Sequence, residues 1–321
     1  DMIIKGSNAD FIKDGNTLSD DRFSGQTFDY ILSNPPFGRE WKNEKAKVEA
    51  EAKLGFAGRF GAGLPSVGDG QMLFLMTAIS KMKEPKDGGS RIAIIHNGSP
   101  LFTGDAGSGP SNIRKYILEN DLLEAIVALP NDIFYNTGIA TYIWVLSNKK
   151  GGTKREGKVQ LINANGLFEK RRKALGNKRN DIPENAIAEI TQLYGDFKTS
   201  EISKIFDNSD FGYTKITVER PLYDENGELV LKKGKKQSDP SLRDTENVPL
   251  NEDINEYFKR EVLPFAPDAW IDKSKTKVGY EIPFTRFFYK YEAPKPSVEI
   301  MKEILEIEKE LDGALAEVFD V

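Results

Sequence analysis

The sequence has no cysteine in 321 residues, which removes disulfide scaffolds, thiolate zinc sites and thiol nucleophiles in one step. Histidine is nearly as scarce. His96 stands alone, so neither a Ser-His-Asp triad nor a multi-histidine metal centre is expected, and no metal is assigned. Long apolar runs are missing too. Nothing approaches the roughly 18 apolar residues of a membrane-spanning helix and no signal peptide opens the chain, so no membrane partner is expected. Nor is there an excess of positive charge: 45 Lys and Arg face 50 Asp and Glu, a net charge of −5. That balance argues against a generally basic nucleic-acid coat but leaves room for a local basic face. These absences read as a soluble protein of a reducing compartment, most simply the cytoplasm. An initiator methionine is also lacking, since the chain starts at Asp1 and enters the apolar Met2-Ile3-Ile4 at once. Such a start reads as a cut through a longer protein or as the trace of a removed tag.

At about 150 residues per domain the length suggests two domains, each able to bury a core. The first half alternates strand-like and helix-like segments. Phe28-Asp29-Tyr30-Ile31-Leu32 is short, apolar and aromatic, stops at Asn34-Pro35-Pro36, and reads as a buried strand. Residues 71–83 carry Met72, Leu75, Met76, Ile79 and Met82 at helical spacing before Lys86-Asp87-Gly88-Gly89. Arg91-Ile92-Ala93-Ile94-Ile95 is a second buried strand. Pro110-Ser111-Asn112 opens a helix through Leu118, with proline in the first turn, where its missing N–H costs little. Residues 122–129 and 140–146 are two more strands. The alternation implies parallel crossovers and an open α/β sheet. The last two strands leave no room for a crossover helix, so they are expected to pair antiparallel at one edge.

After about residue 150 the character changes. Lys149-Lys150-Gly151-Gly152-Thr153-Lys154-Arg155 is followed by a strand at 159–162, a basic stretch through Lys170-Arg171-Arg172-Lys173 and Lys178-Arg179, and a turn-rich segment at 220–250. The tail, residues 297–318, is an amphipathic helix with Val298, Met301, Ile304, Leu305, Leu311 and Leu315 on one face. The chain therefore divides into residues 1–150, an extension at 151–250, and a helical region at 251–321 suited to docking a partner.

The sharpest feature is Asn34-Pro35-Pro36-Phe37, directly after the first strand. Ligands of open α/β sheets collect at the carboxyl ends of strands. Two prolines fix φ and stiffen the turn, so the Asn34 side-chain oxygen and the Pro35 carbonyl can converge on one exocyclic amino group. Two acceptors on its two hydrogens favour a pyramidal nitrogen with its lone pair free to attack. Phe37 offers a face for a planar base, worth about 1–3 kcal/mol. The alternative is an ordinary rigid loop. Gly104-Asp105-Ala106-Gly107-Ser108-Gly109 spaces its outer glycines like a phosphate loop, but Pro110 stands where lysine is required, so it reads as a flexible loop on the site side. His96 reads as a satisfied structural histidine, and Lys170 to Lys173 equally as phosphate contacts or as a solvated loop.

Asn34-Pro35-Pro36-Phe37 resembles the catalytic motif of amino-group methyltransferases that use S-adenosylmethionine. The wider chain is similar to the modification (methylation) subunit of type I restriction–modification systems, which methylates adenine at N6 in DNA. The similarity runs through Phe28-Asp29-Tyr30-Ile31-Leu32-Ser33-Asn34-Pro35-Pro36-Phe37-Gly38, Gly70-Gln71-Met72-Leu73-Phe74-Leu75, Gly88-Gly89-Ser90-Arg91-Ile92-Ala93, Leu129-Pro130-Asn131-Asp132-Ile133-Phe134 and Asn136-Thr137-Gly138-Ile139-Ala140-Thr141. It continues in Glu219-Arg220-Pro221-Leu222, Asp268-Ala269-Trp270-Ile271 and Gly279-Tyr280-Glu281-Ile282.

The resemblance implies a partial Rossmann-like methyltransferase sheet with an antiparallel edge, and the cofactor S-adenosylmethionine. Asn34, Pro35, Pro36 and Phe37 would be catalytic, with adenine N6 attacking the sulfonium methyl in line. A target base must be flipped out of the duplex. Phe37 would stack on one side of it and Phe134 on the other, a core phenylalanine being the other reading of Phe134. Asn16, in Gly15-Asn16-Thr17-Leu18, stands where the family has an aspartate that accepts from the cofactor adenine. The glycine-rich cofactor loop is not found and would precede Asp1, so the chain alone is expected to bind cofactor weakly or not at all. Implied partners are double-stranded DNA, the specificity and restriction subunits, and a second copy of the chain, with the tail helix docking on the specificity subunit. Two rival readings remain: a protein glutamine-amide methyltransferase, and a non-catalytic assembly module.

Overall fold

The computed structural model describes residues 4–6, 8–291 and 293–319, with side chains through residue 311. Asp1, Met2, Ile3 and the Leu315 side chain lie outside the described part. The strands are β1 (Tyr30–Ser33), β2 (Arg91–Asn97), β3 (Leu123–Ala128), β4 (Thr141–Ser147), β5 (Lys158–Asn163), β6 (Glu169–Leu175), β7 (Lys178–Asp181), β8 (Ser203–Asp207), β9 (Gly212–Glu219), β10 (Leu231–Lys232), β11 (Lys235–Lys236), β12 (Asp244–Pro249), β13 (Trp270–Ile271) and β14 (Lys277–Tyr280). The α-helices are α1 (Lys45–Ala52), α2 (Gln71–Ile79), α3 (Ser99–Phe102), α4 (Gly109–Glu119), α5 (Glu184–Asp196), α6 (Ile254–Tyr257), α7 (Phe284–Phe288) and α8 (Ser297–Phe319).

Six strands form the main sheet in the order β1-β2-β4-β3-β5-β8. β1 and β2 are parallel, as are β3 and β5, whereas β4 runs antiparallel to both β2 and β3. The expected antiparallel pairing of the 122–129 and 140–146 strands is therefore present, but inside the sheet. β4 is inserted between β2 and β3, and the antiparallel edge is supplied by β8 on β5. Ile92, Ile94, Ala125, Ile126, Trp144, Leu146, Val159 and Leu161 are fully buried, which explains why these strands are nearly continuously apolar.

β1 differs from expectation in burial. It is an edge strand, and Tyr30 and Leu32 are 72% and 82% exposed. Its apolar sequence resembles a buried strand, yet its outer backbone edge and one face are uncovered. Helix α2 ends at Ile79 rather than 83, because Met82 instead forms a parallel bridge with Phe28.

The sheet also crosses the expected break near residue 150, since β5 and β8 both lie beyond it. A second sheet forms around β9, which pairs antiparallel with β12, β13 and β14. Its core is Ile216, Val218, Val248, Phe258 and Val262. The Glu219, Trp270 and Gly279 motifs, remote in sequence, all meet on β9: Trp270 pairs with Glu219, Gly279 with Tyr213, and Arg220 bridges Asp268 at 3.1 Å. Arg114 on α4 joins this sheet to the first. It is 1% exposed, and its guanidinium donates to the carbonyls of Tyr280 (2.5 Å), Pro100 (3.0 Å) and Thr103 (2.9 Å). Burial holds its pKa down to about 10, so it stays a cation at neutral pH. One compact unit thus runs to Phe284, and a second, 285–321, holds α8.

The glycines of the 104–109 loop have a packing role. A Cβ on Gly109 would lie 1.8 Å from the Leu64 carbonyl oxygen. Lys215 also bridges Asp105 at 2.8 Å, so the loop is tied down at both ends instead of standing free. Gly109→Ala is expected to cost about 1–3 kcal/mol of stability by overpacking. Gly68→Ala, where nothing lies within 4 Å, should stay within about 0.5 kcal/mol of wild type, both variants being measured by urea titration.

His96 on β2 is fully buried edge-on to Trp144, with ring centroids 5.8 Å apart. Among the described residues neither ring nitrogen has a hydrogen-bond partner, nor does Trp144 Nε1. It is structural, as expected, but not satisfied, and burial pushes its pKa down to about 3. Below about pH 6.5 the unfolded chain takes up a proton that the folded chain refuses, so this residue's contribution to stability is lost as pH falls from about 6.5 towards 3. Between pH 7 and 5 wild type should lose about 2 kcal/mol more than His96→Leu. Equal losses would mean that folded His96 titrates normally.

Candidate active site

β1, β2, β3 and β5 share one direction, so their carboxyl ends lie along one edge of the main sheet. The 34–37 turn leaves β1 there. Asn34 is exposed, Pro35 buried, Pro36 exposed and Phe37 half-buried. Gly38 follows at φ +61°, a left-handed position that glycine adopts without strain, and turns the chain away. Trp41, 2% exposed, then anchors the segment: its N–H donates to Val67 O (3.0 Å) and its Nε1 to Ser66 O (2.8 Å). Gly70 N–H donates to Arg39 O at 3.0 Å. The motif is thus a stiff turn with its downstream strap fastened.

The second wall comes from the loop between β3 and β4. Asp132 holds a left-handed φ of +58°, uncommon for a residue with a Cβ. Phe134 is half-buried, and its ring meets Phe37 edge-to-face with centroids 6.2 Å apart at 79°. The two aromatics are neighbours that form a corner, and they leave no parallel slot between them of the kind expected for one ring on each side of a base. A planar base can lie on one ring and meet the edge of the other.

The sequence reading missed the polar pin beneath this edge. Gln71, 1% exposed, donates through Nε2 to Asp69 Oδ1 (2.9 Å) and Asn97 Oδ1 (2.9 Å), and its Oε1 accepts from Asn97 N–H (3.0 Å). Asn97 Oδ1 also accepts from Ser99 N–H at 2.9 Å. A buried amide with all its groups paired is rigid. It locks the start of α2 to the end of β2. The only cue was a polar Asp69-Gly70-Gln71 run opening an apolar helix.

Asn16 is placed differently from its expected role. Its side-chain oxygen accepts from Leu18 N–H (3.0 Å) and Ser19 N–H (3.3 Å), and its Nδ2 donates to Glu44 at 2.6 Å. Both lone pairs are engaged in a local turn, leaving no acceptor for a purine. Asn16 is therefore held by its own turn and presents no free acceptor to a cofactor. Among the described residues no group of His, Asp and Glu is arranged to hold a metal, and no helix is long and apolar enough to cross a membrane.

The chain is similar to several known proteins. The chain is 30% identical over 201 residues to the type I restriction enzyme MjaIX methylase subunit of Methanocaldococcus jannaschii, a match covering 62% of this chain and 33% of that protein. It is 29% identical over 205 residues to the HindI methylase subunit of Haemophilus influenzae, covering 62% and 41%. Among solved structures it is similar to the methyltransferase subunit of a type I restriction–modification system from Streptococcus thermophilus, with TM-score 0.54 and 25% identity over 65% of this chain and 42% of that one. The chain spans less than half the length of these relatives. Residues 1–219, which include every strand of the main sheet, match the profile of the N-6 DNA Methylase family. The chain belongs to that family.

Proposed function

We propose that this chain supplies the adenine-accepting part of the methylation subunit of a type I restriction–modification system, which transfers methyl from S-adenosylmethionine to N6 of a flipped adenine in double-stranded DNA. The observation that carries the reading is the corner of Phe37 and Phe134 beside the exposed Asn34, at the carboxyl edge of the sheet in an N-6 DNA methylase chain. Asn34 Oδ1 and the Pro35 carbonyl accept the two amino hydrogens. Prolines 35 and 36 keep those acceptors in place without reorganisation, which is where such a site gains most of its advantage. Phe37 takes the face of the base. No general base is required, since the amine sheds its proton to water once it carries the methyl group.

S-adenosylmethionine supplies the methyl group when bound. We assign its cradle to further strands that add at the outer edge of β1, where Tyr30 and Leu32 are exposed and no strand pairs among the described residues. The exposed stripe Val298, Met301, Ile304, Leu305 and Leu311 on α8 supports docking on the specificity subunit. Assembly with a second copy of the chain and a restriction subunit follows from the same reading. The glutamine-amide reading gains nothing from these features, and the assembly-only reading accounts for the α8 stripe but not for the Phe37–Phe134 corner beside Asn34.

In the assembled enzyme Asn34→Ala should lower kcat by about 10²-fold or more while leaving DNA binding and subunit assembly unchanged. Radiolabelled methyl incorporation and gel-shift titration read the two effects separately. Methyl transfer within a few fold of wild type would contradict the assigned role.

A further inference from the structure

Against a net charge of −5 for the whole chain, residues 168–181 reverse the sign: Lys170, Arg171, Arg172, Lys173, Lys178 and Arg179 face only Glu169 and Asp181. These residues form the antiparallel β6–β7 hairpin, a two-stranded sheet separate from the main one. Asp181 pairs with Arg171 and with Lys178, the latter at 2.9 Å. Lys170, Arg172, Lys173 and Arg179 are exposed and have no ion-pair partner among the described residues. Charged side chains on an isolated hairpin can serve merely to keep its edges from pairing with other strands.

Two observations point further. First, the hairpin is fastened to the loop that carries Phe134. Arg179 N–H donates to Asp132 O (2.8 Å), Asn180 Nδ2 to Asn131 O (2.9 Å) and Asn177 N–H to Tyr135 O (2.9 Å), and Lys178 Nζ lies 5.6 Å from the centre of the Tyr135 ring. At the tip, Gly176 has φ +62°, and a Cβ there would fall 2.5 Å from Tyr135 O. Second, a groove of about 770 Å³ lies between hairpin and loop, lined among others by Asn131, Phe168, Lys170, Arg171 and Arg179, with Phe168 37% exposed. Unpaired cations interleaved with an exposed aromatic suit a nucleic-acid strand, the cations meeting phosphates and the ring meeting a sugar or base.

We propose that the β6–β7 hairpin clamps the sugar–phosphate backbone next to the flipped nucleotide, with Lys170, Arg172, Lys173 and Arg179 on phosphates, and that its backbone bonds to the 131–135 loop couple this grip to the placement of Phe134. The proposal rests on DNA being the substrate, as argued above. Phosphate contacts set register and orientation on the duplex without reading sequence. A hairpin tied to the stacking loop therefore turns backbone binding into alignment of the base against Phe37.

The test uses the assembled enzyme with Lys170, Arg172, Lys173 and Arg179 each replaced by Gln, all exposed positions where folding is not at stake. Removing one cation from its phosphate should reduce the slope of log affinity against log salt by about 0.9, a drop of about 3.6 for the quadruple variant. The weakening should be equal on cognate and unrelated DNA. Lys170→Arg with Lys173→Arg should keep the wild-type slope. Gly176→Ala should keep the slope but lower kcat several fold, because it separates the grip from the loop. An unchanged slope in the quadruple variant would overturn the clamp, and unchanged kcat in Gly176→Ala would overturn the coupling. If wild type shows the slope yet methylates no adenine, the clamp stands and the assigned reaction fails.

Discussion

Strand β4 pairs antiparallel along all seven of its residues with β2 and at five positions with β3, with Trp144 and Leu146 fully buried in the sheet. A strand running against its neighbours begins where they end. Thr141 therefore sits opposite Asn97 at the carboxyl edge, and the chain leaving β3 must close its loop at that same edge. This is what sets Phe134 against Phe37. The β3–β4 loop and the turn after β1 thus meet at one edge of the sheet, although Phe37 and Phe134 lie far apart in sequence.

Around that arrangement the structure uses paired polar groups as pins. Gln71 locks α2 to the end of β2, Trp41 straps the segment after the motif, and Arg114 binds the second sheet to α4 through backbone carbonyls alone. The site edge is rigid in these places. It is open at β1, where apolar Tyr30 and Leu32 face outward. A stiff proline turn on a pinned scaffold thus lies beside a sheet edge that is open among the described residues. The proposed division of labour, base and backbone on this chain and donor on added strands, rests on that arrangement.

Much of this was legible in the sequence. The 91–95, 122–129 and 140–146 strands, the helix opening at Pro110 and the 34–37 turn are local features, dictated by periodicity, proline and short-range spacing, and each is found close to where it was expected. Strand order was not legible. The insertion of β4, the exposure of β1 and the continuation of the sheet through β5 and β8 are set by long-range pairing, which leaves no trace in a composition window. The basic stretch at 170–179 was visible only as charge, because its anchoring to the Phe134 loop runs through backbone atoms. Asn16 was judged by its place in a motif, whereas its neighbours Leu18, Ser19 and Glu44 decide what its amide does. His96 could be recognised as buried, but not as lacking partners.

The central claim is chemical: the Asn34 turn and the Phe37–Phe134 corner receive the exocyclic amine of adenine in DNA. The most direct measurement gives the assembled enzyme duplex DNA and methyl-labelled S-adenosylmethionine, digests the product to nucleosides and locates the label. The expected result is label in N6-methyldeoxyadenosine alone, and none when Asn34 is replaced by Ala. Label in N4-methyldeoxycytidine, in a protein glutamine, or undiminished in the Asn34→Ala enzyme would contradict the account.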